Sequence, residues 1–244
     1  MKFYVVIPAR YDSSRFPGKV LANIGSKSML QHVFDNAINS DASDVFIATD
    51  SNKVFDNAKK FTKNIFLTSK KNINGTERVA ELANTLKWDD DTLVINLQAD
   101  MPELKPDNIN FLAKKAKNNI GLSTLYYNLK DLNLISDRNT VKISVDENNI
   151  NFYREVSENM SRNIYKHIGI YAYFVKDLNS YKILPQSINE KNLSLEQFRF
   201  LDNGYSIQAY CAVSDPGVSI DSSDNLTEIK GINNWIIRKN HYSL

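Results

Sequence analysis

A loop close to the start of the chain has the side-chain types that bind a polyphosphate. Between Ala9 and Lys19 the chain carries two arginines, one lysine, two serines and a Pro-Gly turn. A guanidinium group can donate two parallel hydrogen bonds to phosphate oxygens, and a lysine ammonium contributes a compact positive charge. A solvated basic loop is the alternative interpretation. The candidate phosphate ligands are Arg10, Ser13, Arg15 and Lys19.

Two aspartates favour a site for a divalent cation beside such phosphates. Asp100 follows the apolar run at residues 92–97, and Asp221 follows the short run at residues 218–220. Magnesium binds through one or two carboxylates together with substrate oxygens. The two aspartates would share Mg²⁺ if the fold brings them together, and the alternative for each is a role in a turn or a helix cap.

Two further segments have residues suited to a ligand. Gly75 permits close approach of the backbone, and Thr76 is predicted to begin a helix whose first amides attract anions. Along the strand predicted near residue 170, the residues His167, Gly169, Tyr171 and Tyr173 share one face, which suits a sugar. The alternatives are an ordinary capped helix and a half-buried strand with a structural histidine.

Composition excludes several other classes. The 244 residues include 30 basic and 28 acidic side chains, so the formal net charge is +2 and bulk nucleic-acid binding is not expected. A single cysteine, Cys211, cannot form a disulfide framework or a Cys-rich zinc site within the chain. Neither G-x-G-x-x-G nor the P-loop motif occurs. With no apolar stretch of about 18 residues and no signal-peptide pattern, we expect a cytoplasmic protein without membrane insertion.

The elements that must position these residues alternate between strand and helix patterns, which is typical of a parallel sheet. Strands are predicted at residues 3–8, 44–49, 65–67 and 92–97, and helices at residues 29–40, 51–61, 76–86 and 107–117. The second half predicts strands at residues 122–127, 141–145, 150–153, 168–174 and 206–212, and helices at residues 176–183, 193–201 and 222–239. No linker divides the chain, so we predict one α/β domain over residues 1–244. It has a mostly parallel, Rossmann-like central sheet flanked by helices, with an inserted antiparallel lobe.

Several motifs occur in the order seen in one enzyme family. They are Ile7-Pro8-Ala9-Arg10, Arg15-Phe16-Pro17-Gly18-Lys19, Ala48-Thr49-Asp50, Asn74-Gly75-Thr76-Glu77-Arg78, Asn96-Leu97-Gln98-Ala99-Asp100, His167-Ile168-Gly169-Ile170-Tyr171, Leu195-Glu196-Gln197-Phe198-Arg199 and Val218-Ser219-Ile220-Asp221. Over nearly the whole chain they resemble the 3-deoxy-manno-octulosonate cytidylyltransferases, also called CMP-Kdo synthetases. The resemblance implies a nucleotide-diphospho-sugar transferase fold, dependence on Mg²⁺ and a homodimer joined through the inserted lobe. It also implies transfer of CMP from CTP to the acidic sugar Kdo, with release of pyrophosphate, for lipopolysaccharide biosynthesis.

The resemblance further implies roles for individual residues. Residues 1–120 would form the CTP-binding half, and residues 121–244 the sugar-binding and dimerisation half. Lys19, Arg10 and Asp100 would be catalytic, while Asp100 and Asp221 would bind Mg²⁺. The implied CTP ligands are Arg10, Ser13, Arg15, Lys19, Gly75 and Arg78. The implied sugar ligands are Gln98, Arg154, His167, Tyr171, Glu196 and Gln197.

The chain departs from the family pattern mainly on the sugar side. The usual Gln-Gly-Asp-Glu-Pro is Gln98-Ala99-Asp100-Met101-Pro102 here, and the segment that carries Arg154 also differs. A related acid sugar, such as 8-amino-Kdo or a sialic-acid-like sugar, is therefore an alternative acceptor. A non-catalytic nucleotide-binding homologue is the alternative from another functional class.

Overall fold

A mixed, mostly parallel sheet forms the centre of the protein. The computed structural model describes residues 2–12, 16–119, 121–129, 133–146, 149–156, 163–222 and Leu226. Its strands are β1 (Phe3–Ala9), β2 (Asn23–Ile24), β3 (Lys27–Ser28), β4 (Asp44–Thr49), β5 (Ile65–Leu67), β6 (Leu93–Leu97), β7 (Leu122–Tyr127), β8 (Lys142–Val145), β9 (Ile150–Tyr153), β10 (Ile164–Phe174) and β11 (Ile207–Cys211). Nine of these strands form one sheet, in which seven follow the order β11-β7-β10-β6-β1-β4-β5 and β8 pairs with β10 and β9. Strands β2 and β3 form a separate ribbon.

Helices cover both faces of this sheet. They are α1 (Met29–Ile38), α2 (Asn52–Ala58), α3 (Gly75–Thr85), α4 (Pro106–Ala116), α5 (Asn133–Ser136), α6 (Val175–Ile183), α7 (Ile188–Leu193) and α8 (Phe198–Asp202). Apolar side chains of α1, α2 and α4 pack on one face, and those of α3, α6 and α8 pack on the other. Strand β6 is therefore buried at every position, as expected of a parallel strand with two covered faces. The predicted α/β class is confirmed.

Strand β10 is the long antiparallel member of the sheet. It runs opposite to β6 and β7, and its first residues, 164–166, also pair with β8. Strand β8 pairs with β9 in a hairpin beside the main row of strands. These three segments form the predicted antiparallel lobe. Because β10 runs against β6, its first half lies at the edge of the sheet where β1 and β6 end.

Two predicted elements differ most from the observed bounds. The strand predicted from residue 168 begins four residues earlier, at Ile164. The helix predicted over residues 193–201 is interrupted, because Ser194 ends α7 in the left-handed conformation with φ of 52° and α8 begins only at Phe198. The interruption places the connection between α7 and α8 beside the sheet edge instead of inside a continuous helix.

The start of α3 and the end of the chain also differ from the predictions. Helix α3 begins at Gly75, one residue before the predicted Thr76, and its N-cap is Asn74, whose side chain accepts from the Glu77 amide. The helix predicted over residues 222–239 lies almost entirely outside the described residues. Within the residues that are described, no helix combines the length and the apolar character needed to cross a bilayer.

Candidate functional site

An open cavity of about 1300 Å³ lies at the edge of the sheet where β1 and β6 end. Its walls come from the residues after these strands, from the first half of β10 and from the connection between α7 and α8. Ligands bind at this edge in open α/β sheets. The predicted site residues that line the cavity are Arg10, Lys19, Gly75, Arg78, Gln98, Asp100, Arg154, His167, Tyr171, Glu196, Gln197 and Asp221. Ser13 and Arg15 lie outside the described residues.

The two predicted metal-binding aspartates meet at one lysine. The Lys19 ammonium donates to Asp100 Oδ2 at 2.7 Å, to Asp221 Oδ1 at 3.4 Å and to the Ile220 carbonyl at 3.3 Å. The Ile220 amide also donates to the Asp100 carbonyl at 2.9 Å, so the backbone joins the two segments. Burial alone lowers the pKa of Lys19, but the two aspartates outweigh burial and raise that pKa above its ordinary value. Lys19 is therefore a permanent cation between two carboxylates.

The same oxygen atoms suit a divalent cation. Two carboxylates and one carbonyl converge on a single point, and Mg²⁺ prefers such oxygen ligands. The residues that the structure describes contain no group of three or more histidine, cysteine or acidic side chains that could hold a metal by themselves. Asp100 and Asp221 therefore fit an ion that takes its remaining ligands from substrate oxygens and water.

The start of α3 connects two walls of the cavity. A Cβ atom on Gly75 would lie only 3.1 Å from the amide nitrogen of Gln98. The Thr76 amide donates to Glu196 Oε2 at 3.0 Å, and the Gln98 side chain donates to Glu196 Oε1 at 3.3 Å. A carboxylate of the protein thus binds the helix amide that we expected to attract a ligand anion. Burial raises the pKa of Glu196, and the hydrogen bonds from Thr76 offset part of that increase.

Arg78 and Arg10 line the cavity in different environments. Arg78 is fully buried and donates to Asp50 Oδ2 and to Thr68 Oγ1, each at 2.6 Å. Its Nε atom is buried and has no hydrogen-bond partner among the described residues. Arg10 is exposed and donates to the Ile73 carbonyl at 3.1 Å. Arg78 therefore stiffens the wall through Asp50, whereas Arg10 extends into solvent at the mouth of the cavity.

His167 is a neutral, buried part of the wall that β10 forms. Its Nε2 atom lies 3.0 Å from Thr124 Oγ1, and the Thr124 hydroxyl donates to the Ile170 carbonyl at 2.8 Å. Because this hydroxyl gives its only proton to a carbonyl, the histidine proton is assigned to Nε2 and Nδ1 is left as an acceptor. Burial lowers the pKa of His167 to about 3, with a smaller contribution from the charge of Arg154.

Tyr171 and Gln197 add hydrogen-bonding groups to the same wall. The Tyr171 hydroxyl donates to Gln197 Oε1 at 3.2 Å, and burial raises the pKa of Tyr171 well above its ordinary value. The Gln197 side chain is buried, yet its Nε2 donor has no partner within the described part of the chain. A buried, unpaired donor at the edge of a cavity is costly unless a ligand or water accepts from it. The unpaired donor of Gln197 therefore indicates that a polar ligand binds beside it.

Arg154 is held mainly by backbone carbonyls. Its Nε donates to Leu193 O at 3.0 Å, its Nη2 to Ser194 O at 3.3 Å and its Nη1 to Arg138 O at 3.2 Å. The fully buried Lys142 in turn donates to the Arg154 carbonyl at 2.7 Å. Arg154 thus ties the antiparallel lobe to the connection between α7 and α8.

A buried ion-pair network supports this connection from behind. Arg199 binds Glu190 through Nε and Nη2, at 2.9 and 2.7 Å, and binds Glu77 through Nη1 at 2.9 Å. Glu190 also accepts from Asn74, the cap of α3, at 3.3 Å. The family motifs contain Asn74, Glu77 and Arg199, but sequence reasoning gave them no supporting role and missed Glu190, because the contacts join three helices that are distant in sequence.

The chain is similar to known cytidylyltransferases in sequence and in fold. A family model described as cytidylyltransferase matches residues 4–207. The chain is 37% identical over 244 residues to a 3-deoxy-manno-octulosonate cytidylyltransferase from Pseudoalteromonas translucida, covering 94% of this chain and 96% of that one. A protein with the same name from Saccharophagus degradans is 40% identical over 226 residues, covering 85% and 89%. A solved structure of CMP:2-keto-3-deoxy-manno-octonic acid synthetase complexed with CTP matches with a TM-score of 0.84 at 30% identity, covering 98% of this chain and 100% of that one.

Proposed function

This chain belongs to the cytidylyltransferase family, and we propose that it transfers CMP from CTP to 3-deoxy-manno-octulosonate (Kdo). The anomeric hydroxyl oxygen of Kdo bonds to the α-phosphorus of CTP, and the bond from that phosphorus to the oxygen of the β-phosphate breaks. The hydroxyl loses its proton, so the products are CMP-Kdo, pyrophosphate and a proton. CMP-Kdo is the activated sugar for lipopolysaccharide biosynthesis.

One juxtaposition carries this proposal: Lys19, Asp100 and Asp221 meet in the same cavity as the polar wall of Gln197 and Glu196. Phosphoryl transfer depends on in-line placement and on neutralising charge, and it needs no covalent nucleophile from the protein. A cavity with a part-buried cation beside two acids supplies the charged part. The neighbouring amide and carboxylate groups supply hydrogen bonds for a polyhydroxylated acceptor.

The cations of the cavity are assigned to the phosphates of CTP. Lys19 places a fixed positive charge beside the reacting phosphate, and Arg10 has exposed guanidinium donors at the mouth of the cavity. Ser13 and Arg15, on the same loop, complete the proposed triphosphate site. Fixed cations of this kind stabilise the negative charge of the transition state without having to reorganise.

We also propose that Asp100 and Asp221 hold Mg²⁺. Both carboxylates already lie within 3.4 Å of one ammonium, so they need only small shifts to share an ion. When bound there, Mg²⁺ would neutralise phosphate charge and lower the pKa of the attacking hydroxyl.

Dimer formation and location in the cytoplasm belong to the same proposal. Within the described residues β9 pairs only with β8, so its other edge has backbone groups available to a second copy of the chain. A homodimer through the antiparallel lobe would cover this edge. The cytoplasm is the proposed compartment because CTP is supplied there.

The test is Mg²⁺-dependent release of pyrophosphate from CTP with Kdo, 8-amino-Kdo, sialic acid or no acceptor. We expect release with Kdo and none without an acceptor. Release only with another acid sugar would show that the proposed reaction is correct and that its acceptor is not Kdo. Binding of CTP without release in any mixture would refute the enzymatic proposal and favour a binding protein.

A further inference from the structure

We propose that Lys166 is the cation that binds the carboxylate of the acceptor sugar. The inference rests on the proposed function, because it requires an acidic acceptor in this cavity. Arg154 is the one cation among the sugar ligands that the resemblance implies, so it is the competing candidate for this role. The contacts of the two side chains favour Lys166.

The contacts of Arg154 engage all three nitrogens of its guanidinium. Nε, Nη1 and Nη2 each donate to a backbone carbonyl, on segments that belong to the lobe and to the end of α7. A ligand carboxylate could form a bidentate pair with Arg154 only by displacing at least one of these contacts, because they already use Nε and both terminal nitrogens. Arg154 therefore shapes the cavity more readily than it binds an anion.

Lys166 is in a different position. It is half-buried on β10, lines the cavity beside His167, and makes one long hydrogen bond, to the Gly217 carbonyl at 3.3 Å. No ion pair of Lys166 occurs within the described residues. An ammonium has three donors, so two of them are left for a ligand. Burial lowers the pKa of Lys166, and the more distant charges of Asp215, Glu103 and Asp221 offset part of that effect.

The covalent structure of the acceptor supports the same assignment. In a 2-keto acid sugar the carboxylate is bonded to the anomeric carbon, whose hydroxyl attacks CTP. The carboxylate must therefore bind close to the metal-binding aspartates. Lys166 contacts Gly217, on the segment that leads to Asp221, whereas Arg154 contacts Leu193 and Arg138. A sugar carboxylate bound to Lys166 would neutralise the charge of the half-buried ammonium. The neighbouring anomeric hydroxyl would then lie towards the site of CMP transfer.

The experiment compares Lys166→Met with wild type in the pyrophosphate assay, using Kdo and its C1 carboxamide as acceptors. We expect KM for Kdo to rise about 10- to 100-fold, which corresponds to the loss of one charge-assisted hydrogen bond. We expect KM for CTP to stay within about twofold, and the preference of the enzyme for Kdo over the carboxamide to disappear. Lys166→Arg keeps the charge and should keep that preference. Lys182→Met, an exposed position outside the cavity, controls for the loss of one positive charge.

Other results would overturn the inference in distinct ways. An unchanged KM for Kdo, or an unchanged preference for the carboxylate, would show that Lys166 does not bind it. A rise in KM for CTP alone would assign Lys166 to the phosphates. An equal fall in kcat with both acceptors would indicate a structural role for Lys166. Circular dichroism spectra of Lys166→Met and of a second variant, Lys166→Gln, would identify misfolding. Absence of turnover by the wild type with any acid sugar would refute the proposed function itself.

Discussion

Replacing Asp100 with asparagine should greatly reduce turnover and leave the fold nearly as stable as in the wild type. The Lys19–Asp100 contact is 2.7 Å long between side chains that are 14% and 22% exposed, so water screens it only partly. Asparagine keeps an oxygen that can accept from Lys19, and Asp221 still balances the lysine charge at 3.4 Å. We therefore expect a loss of only about 1 kcal/mol in the free energy of unfolding, near the value of one hydrogen bond.

Turnover should fall far more than stability. The amide has no charge to hold Mg²⁺ against the phosphates, and the loss of one electrostatic contact at a transition state typically costs on the order of 10²-fold in rate. We expect Asp100→Asn to lower kcat at least about 100-fold and to raise the Mg²⁺ concentration that gives half-maximal rate.

The assay is pyrophosphate release over a Mg²⁺ titration, with urea unfolding measured on the same preparations. Asp107→Asn is the matched control, because it makes the same chemical change at an exposed position in the first turn of α4. The control should keep its turnover. A folded Asp100→Asn protein with near-normal turnover and unchanged Mg²⁺ dependence would refute the metal assignment.

Two further predictions concern stability. Arg199→Met should lower the free energy of unfolding in urea by about 3–5 kcal/mol, because it leaves the buried Glu190 without its cation. Arg138→Met removes an exposed ion pair with Glu155 and should cost less than about 1 kcal/mol. Equal losses in the two variants would contradict this. For His167, the folded pKa of about 3 lies below the ordinary value of 6.5, so below pH 6.5 the unfolded chain binds a proton that the folded one does not. The free energy of unfolding should therefore fall as pH drops from 7 to 5, and His167→Gln should reduce that fall by up to about 2 kcal/mol in urea unfolding. Parallel pH profiles for the variant and the wild type would show that His167 is not buried in the neutral form.

Most strands of the sheet could be predicted from the sequence. Strands β4, β5, β7 and β9 occupy the predicted residues, and β1 and β6 differ from the prediction by one residue at one end. The runs of β1, β4 and β6 are mostly apolar because helices cover both faces of the sheet there. The start of β10 was missed because Lys166 and His167, which line the cavity, interrupt its apolar run, although Ile164–Lys166 pair with β8. The break at Ser194 was missed because apolar residues on both sides of it fit a helical period.

The candidate site was predictable as a set of residues but not as a set of contacts. Strand ends and motifs identified Asp100 and Asp221 as candidates, yet only the fold shows that both reach Lys19. Arg78 was expected to help hold the nucleotide, a role that stays a prediction. Its ion pair with Asp50, 28 residues away, could not be seen in any local pattern.

The position of β10 determines which parts of the cavity can move. Around Lys166 and His167 the strand is hydrogen-bonded along both edges, to β7 on one side and to the lobe on the other. Amides of this kind exchange with solvent only when several strands separate together, which is a rare event. This wall is therefore the static side of the open cavity, and any adjustment to a bound ligand falls on the loop-built sides, the segments that carry Ser194 and Gly217. Rates of such adjustment would then depend on these two segments and hardly on the sheet.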